Sequence, residues 1–378
     1  MPRPFPTPIY VTRPNLPPLD EVRAGLAEIW ARRQLTNRGP MLEGLEDRLA
    51  RLLDVPQMSV MTNGTLALEL GCQALGLRGE VITTPFTFAA SVNALVRSGL
   101  TPVFADIEPA HLTLDPARVE AAITPRTCAI LGVHVFGHPC RVSELAAVAE
   151  RHGLALLYDA AHAFGTTIDG VPVARFGDLS MFSFHATKPF HALEGGGLAF
   201  RRPELQAVLE RLANHGLQPD GDVPEAGTNA KMTEVQALIG LLMLDRLPDI
   251  LARGKVIAMI YRERLAALPG IDWLPDPAPG VALNHGFAPV LIDPARAGTD
   301  RDGLHDALRQ MNVVTRKYFH PPASDMAAFR ALRAADSLAV SRDAAARVLA
   351  LPIYAELALD DVHRICDMIA EIHARTVL

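Results

Sequence analysis

Lys188 lies in the stretch Phe184-His185-Ala186-Thr187-Lys188-Pro189-Phe190, with no acidic residue within five positions on either side. A surface lysine usually keeps polar company. A lysine in apolar company loses solvation, its pKa falls, and the neutral, nucleophilic amine gains population. A Schiff-base lysine needs that state. The same stretch also suits a lysine snorkelling from a buried strand. A second group bears on the choice. The run Leu154-Ala155-Leu156-Leu157-Tyr158 ends in Asp159 and reads as a buried strand with an acid at its carboxyl end, where open α/β sheets bind their ligands. Alone, Asp159 would suit a helix N-cap or a structural ion pair. With a lysine 29 positions later on another strand end, it forms the pair that serves pyridoxal phosphate (PLP), the aspartate at the pyridinium nitrogen and the lysine at the carbonyl.

The elements that would position this pair alternate along the chain. Strands are expected at Met58–Met61, Glu80–Thr83, Thr101–Ala105, Thr127–Val133 and Leu198–Phe200. Helices are expected at Asp20–Arg33, Leu66–Leu75, Pro116–Ile123, Arg141–His152 and Val235–Leu244. Strand–helix alternation implies a mostly parallel sheet covered on both faces. Between the first strand and its helix stands Asn63-Gly64-Thr65. A tight turn feeding a helix N-terminus aims free N–H groups at an anion, although Gly64 also suits a simple turn and Thr65 a helix cap. Phe88 suits either stacking on a flat ring or a place in the core. The loop His134-Val135-Phe136-Gly137-His138-Pro139-Cys140 lacks the ligand number and spacing of a zinc site, so no metal is expected.

Beyond Pro248 an amphipathic helix is expected at Ile250–Leu268, strands at Asn284–Ile292, Val313–Val314 and Val348–Leu351, and helices at Asp302–Gln310 and Asp360–Ile372. The expected organisation is an N-terminal arm over 1–19, a large PLP-binding domain over 20–247 and a smaller C-terminal domain over 248–378. The arm should be extended, since seven of the first eighteen residues are proline.

Phe182-Ser183-Phe184-His185-Ala186-Thr187-Lys188 followed by Glu194-Gly195-Gly196 resembles the lysine segment of the DegT/DnrJ/EryC1/StrS family of PLP-dependent sugar-nucleotide aminotransferases. The likeness extends through Asn63-Gly64-Thr65-Leu66, Thr87–Ala94, Asp159-Ala160-Ala161-His162-Ala163, Gly227–Glu234 and Arg316–Pro321. It implies the fold-type I architecture: a mostly parallel seven-stranded sheet flanked by helices, plus a smaller α+β C-terminal domain. It also implies roles. Gly64, Thr65, Leu66 and Ser183 would hold the cofactor phosphate, and Asn229 would reach the phosphate of the neighbouring subunit in a homodimer. Phe88 and Ala161 would lie on opposite faces of the ring, Asp159 at its nitrogen and His162 at its phenolic oxygen. Lys188 would be the catalytic lysine, and Lys231 and Tyr318 would face the substrate. The departures at Asn63, Leu66, Tyr158 and Ser91 change no catalytic group, and those at Lys317, His320 and Pro322 leave the choice of sugar unread.

The implied reaction takes nitrogen from L-glutamate, leaving 2-oxoglutarate, and gives it to a nucleoside-diphosphate keto sugar. The wording around Lys188 is nearest to enzymes acting at C4 of dTDP-4-keto-6-deoxyglucose. Other readings are a C3 aminotransferase, a dehydratase (whose relatives carry histidine in place of Lys188), and a non-catalytic PLP-binding regulator. A net charge of −6 argues against a nucleic-acid partner. Four scattered cysteines suit reduced thiols in the cytoplasm. No run is long and apolar enough for a membrane span, and the proline-rich start does not read as a signal peptide.

Overall fold

The computed structural model describes residues 3–376. Met1 and Pro2 of the expected arm, and the last two residues, lie outside the described residues. The apolar runs converge in one seven-stranded sheet. Its spatial order is Gln57–Met61, Gly196–Phe200, Leu179–Ser183, Ala155–Asp159, Thr127–Val133, Glu80–Thr83 and Thr101–Phe104. The Gly196–Phe200 strand runs antiparallel to both neighbours and the remaining pairs are parallel, so the other six strands share one direction. Glu80–Thr83 and Gly196–Phe200 are buried throughout, as a sheet covered by helices on both faces requires.

This direction matters because it brings the candidate residues to one edge. Ser183 and Met61 flank Gly196 across the ladder, and Asp159 lies between Val133 and Met181. Asn63-Gly64, Asp159 and Ser183-to-Lys188 therefore leave the sheet on the same side. The approach is closest where the Gly64–Ala74 helix begins. A Cβ on Gly196 would lie 2.3 Å from the backbone nitrogen of Gly64, and one on Gly64 would lie 2.9 Å from Met181 Sδ. Only glycine permits that contact.

A second apolar core forms around a three-stranded antiparallel sheet of Ile271–Trp273, Ala288–Ile292 and Val348–Leu351. The Leu247–Leu265, Arg301–Gln310 and Leu359–Thr376 helices pack on it through Ile257, Tyr261, Leu308, Ile365 and Ile369. The N-terminal segment is extended but docked. Phe5 is buried in this core, and Ile9–Tyr10 pairs in parallel with Val313–Val314. Expected and observed elements differ in places. The strand expected from Asn284 begins only at Ala288, because the Asn284 side chain turns inward and donates to the carbonyls of His162 and Phe164, 2.9 Å each. The Leu205–Ala213 and Ala339–Arg347 helices, like Pro40–Leu52, lie outside the expected elements. The first has legible spacing in Leu205, Leu209 and Leu212. The second is mostly alanine, arginine and serine, and its position is set by packing. Among the described residues no helix is long and apolar enough to cross a membrane.

Gly196→Ala should cost about 1–3 kcal/mol in urea denaturation, the usual range for forcing an extra group into a packed site. Gly44→Ala, inside the Pro40–Leu52 helix, adds a Cβ whose nearest neighbour is Leu241 Cδ1 at 3.9 Å, and it should be neutral or stabilising by up to about 1 kcal/mol. Equal effects from the two would disprove the steric account of the helix–sheet contact.

Candidate active site

Asp159 ends its strand almost fully buried. Both carboxylate oxygens are held: Ser91 Oγ donates to Oδ2 at 2.6 Å, and the Ala161 N–H donates to Oδ1 at 3.0 Å. Burial raises the Asp159 pKa, and the Ser91 bond, the Ala161 bond and the positive charge of Lys188 oppose it. Lys188 follows the Leu179–Ser183 strand in a tight turn closed by its own N–H on the His185 carbonyl, 2.9 Å. Enclosure of its amine lowers the pKa to about 8, against the opposing pull of Asp159. At pH 7 such an amine is neutral about 300 times more often than one at the ordinary value near 10.5. Its Nζ lies 5.4 Å from the Phe287 ring centroid, a cation–π contact that retains some favourable interaction for the protonated form.

His162 is buried three residues after Asp159. The Phe136 N–H donates to its Nδ1 at 3.3 Å, so the neutral ring carries its proton on Nε2. Burial, reinforced by the positive charge of Lys188, keeps this imidazole neutral well below its usual pKa. Its ring centroid lies 4.0 Å from Phe287, 5.7 Å from Phe319 and 6.2 Å from Tyr318. Phe136 stacks on Phe319 at 6.2 Å. These rings form a wall that joins the C-terminal core to the sheet edge, and Tyr318 reaches the site as part of it.

The start of the Gly64–Ala74 helix lies against the same edge. A Cβ on Gly64 would be 3.5 Å from Ser183 Cα, so the first helical amides and the Ser183 hydroxyl share one corner. The first N–H groups of a helix have no intrahelical acceptor. One of them is already occupied here: Asn63 Oδ1 accepts from the Leu66 N–H at 2.9 Å, so an incoming phosphate would share or displace that cap. Phe88 caps the Ala89–Arg97 helix and is 62% exposed, which removes the reading of Phe88 as a core residue.

Two sequence-assigned residues lie apart from this group. Asn229 is exposed and bridges Asn214 in a short antiparallel contact. Lys231 donates to Asn214 Oδ1 at 2.7 Å and bridges Met61 on the edge strand. It lines a cleft of about 700 Å³ with Arg38, Glu210 and Arg211. Sequence reasoning missed the contributions of Phe287, Phe136 and Asn284. Nothing in their local sequence distinguishes them from core residues, because their partners are distant in the chain. In the sequence Ser91 reads only as a departure from the family's threonine, although Thr87 and Ser91 at helical spacing offer a signal. His134, of the loop considered for metal, accepts the Cys140 N–H at Nδ1 and stacks on Tyr158.

The chemistry of this donor set fits PLP group by group. A helix N-terminus and a hydroxyl suit the phosphate, a buried acid suits the ring nitrogen, a neutral N–H donor suits the phenolic oxygen, and a half-buried low-pKa amine suits the aldehyde. Comparison with known proteins agrees. The DegT/DnrJ/EryC1/StrS aminotransferase family matches residues 20–370, and the chain belongs to that family. It is a PLP-dependent aminotransferase. It is 42% identical over 366 residues to a dTDP-4-amino-4,6-dideoxy-D-glucose transaminase of Shigella dysenteriae, covering 97% of this chain and 99% of that protein. It is 38% identical to an enzyme of the same name in Escherichia coli, over 92% of this chain and 94% of that one. Its fold matches that of DesI, solved in the presence of its TDP-sugar product, with a TM-score of 0.95 and 40% identity, over 99% of this chain and 95% of that chain.

The apo protein should take up PLP at a rate that rises with pH and levels off above about 8, following the neutral amine of Lys188. Stopped-flow absorbance measures this. A plateau only above pH 10 would show that burial does not lower the pKa of this lysine.

Proposed function

We propose that the chain transfers the amino group of L-glutamate to C4 of dTDP-4-keto-6-deoxyglucose, yielding 2-oxoglutarate and dTDP-4-amino-4,6-dideoxyglucose. The chemistry rests on the lowered pKa of the enclosed Lys188 amine beside a doubly held Asp159. The substrate rests on the two transaminases and on DesI, whose names carry that sugar class. A dehydratase is disfavoured because lysine stands where such relatives carry histidine.

When bound, PLP supplies an electron sink that acidifies the Cα–H bond of the donor and carries nitrogen from one substrate to the other. Lys188 would hold the cofactor through its amine and would serve as the base that takes the proton from the glutamate Cα and returns one to the sugar carbon. Asp159 keeps a proton at the ring nitrogen. A close opposite charge of this kind shifts a pKa by roughly 1–3 units. His162 would offer its Nε2–H to the phenolic oxygen, and its neutrality avoids a second positive charge beside Lys188. Phe88 and Ala161 would flank the ring, and Gly64, Thr65, Leu66 and Ser183 would hold the phosphate. Tyr318 and the aromatic wall exclude water on the substrate side.

The exposed Asn229 and the cleft beside Lys231 suit a second copy of the chain. We therefore read the enzyme as a homodimer in which Asn229 completes the neighbour's phosphate site and Lys231 faces the neighbour's sugar nucleotide. The separate cores suit division into an arm over 1–19, a large domain over 20–247 and a small domain over 248–378. Four free cysteines suit the cytoplasm, and the product suits deoxyaminosugar and glycan biosynthesis.

The test is incubation of the holoenzyme with L-glutamate and dTDP-4-keto-6-deoxyglucose, with the product assigned by NMR. A C4 amine is expected; an amine at C3 would retain the class and overturn the regiochemistry. Lys188→Ala should lower turnover by about 10³-fold or more, the upper range for removing a general acid–base, and normal turnover would remove its role. Mixed dimers of Lys188→Ala and Asn229→Ala chains should regain part of the activity that each variant lacks alone. Verified mixed dimers with no regain would count against the shared site.

A further inference from the structure

Asp159 is held by a chain of hydroxyls that no role assigned so far explains. Ser91 Oγ donates to Asp159 Oδ2 at 2.6 Å, and Thr87 Oγ1 lies 2.8 Å from Ser91 Oγ. A hydroxyl has one proton. Ser91 gives its proton to the carboxylate, so Thr87 is the donor in the second bond, and both O–H dipoles point toward Asp159. Thr87, Ser91 and Asp159 are at most 6% exposed, so water does not compete for these bonds. Opposite them, the Ala161 N–H fixes Oδ1. With both oxygens tethered the carboxylate cannot rotate, and each oxygen keeps acceptor capacity for one further donor.

We propose that Thr87 and Ser91 are positioning residues that orient Asp159 toward the cofactor ring nitrogen and keep it ionised there. The inference rests on the PLP reading of the site. An isolated buried carboxylate tends to take up a proton. Were Asp159 to do so, the ring nitrogen would lose its counter-charge and much of its proton. A hydrogen bond to a charged acceptor opposes this more strongly than one between neutral groups. Placement supports a joint role. Phe88, the residue for one ring face, stands between Thr87 and Ser91, and the Ser91 N–H donates to the Phe88 carbonyl at 3.2 Å. One turn of chain therefore carries both the aromatic for the ring face and the clamp on the acid at its nitrogen. The other titratable groups around Asp159 are Lys188, whose charge favours the carboxylate, and His162, which is neutral and adds none.

The test uses holoenzyme loaded with PLP labelled with ¹⁵N in the ring. In Ser91→Ala the nitrogen chemical shift should move toward the unprotonated pyridine position at the same pH. Thr87→Val should move it in the same direction by less, and Ser91→Thr should restore it. The glutamate half-reaction should slow by about 10-fold in Ser91→Ala, the factor expected from about one pKa unit. Thermal melts by circular dichroism report on folding. A folded Ser91→Ala with an unchanged nitrogen shift and rate would overturn the proposal. Should that variant not fold, an unchanged shift in Thr87→Val would overturn it instead. Failure of the unsubstituted enzyme to bind the labelled cofactor would contradict the PLP reading itself, an outcome distinct from the other two.

Discussion

A carboxylate and an amine enclosed at one sheet edge each give up hydration worth several kcal/mol, and only neighbouring groups restore it. Asp159 recovers it through the Ser91 hydroxyl and the Ala161 amide. Lys188 recovers less, from the Asp159 charge and the Phe287 ring, and its pKa falls to about 8. The proposed chemistry would use this inequality. On the proposed reading, the acid would stay charged enough to face a cationic ring, while the base would be neutral often enough to react. Had both been equally well satisfied, the pair would be a structural salt bridge.

The rest of the architecture keeps that edge closed and ordered. Six strands run in one direction, so their carboxyl ends and the loops beyond them meet at one side. The antiparallel Gly196–Phe200 strand lets the Gly64–Ala74 helix press onto the sheet, because Gly196 has no side chain to hold it off. The helix N-terminus thus lies beside Ser183. From the other side, Asn284 ties the loop preceding the Ala288–Ile292 strand to the carbonyls of His162 and Phe164. The same loop carries Phe287 to the His162 ring. The C-terminal core is therefore fastened to the residues following Asp159, and rearrangement there would be felt at His162 and Lys188.

The edge strand Gln57–Met61 adds a second consequence. Residues 228–231 run alongside its end, with Thr62 N–H bonded to the Ala230 carbonyl at 2.8 Å. Ala230 is buried by this contact while Asn229 is left exposed. In the proposed homodimer, a backbone held this firmly beside an exposed Asn229 would be a rigid mount for a group that serves the other chain. The same pairing with the edge strand and with Asn214 keeps Asn229 and Lys231 away from the cluster around Lys188 within one chain.

The sequence alone determined the class of fold, because strand–helix alternation and continuous apolar runs have few packing solutions. It also singled out Lys188 and Asp159, as an amine in apolar company and an acid at a strand end, and the Gly64 turn before a helix, while the roles proposed for His162 and Ser183 came from the family resemblance. Local periodicity placed the strands Glu80–Thr83 and Thr127–Val133 to the residue. It overextended the strand at Asn284, where a side chain makes long-range bonds that no local pattern records. Only the tertiary structure decided how the acid is held, which rings wall the site, and that Leu66 shares its amide with Asn63. Ser91 lies 68 positions from Asp159, and Asn284 lies 122 from His162. Contacts between such distant residues are products of packing, set by sheet order and close approach, and a linear pattern has no means of encoding them one by one.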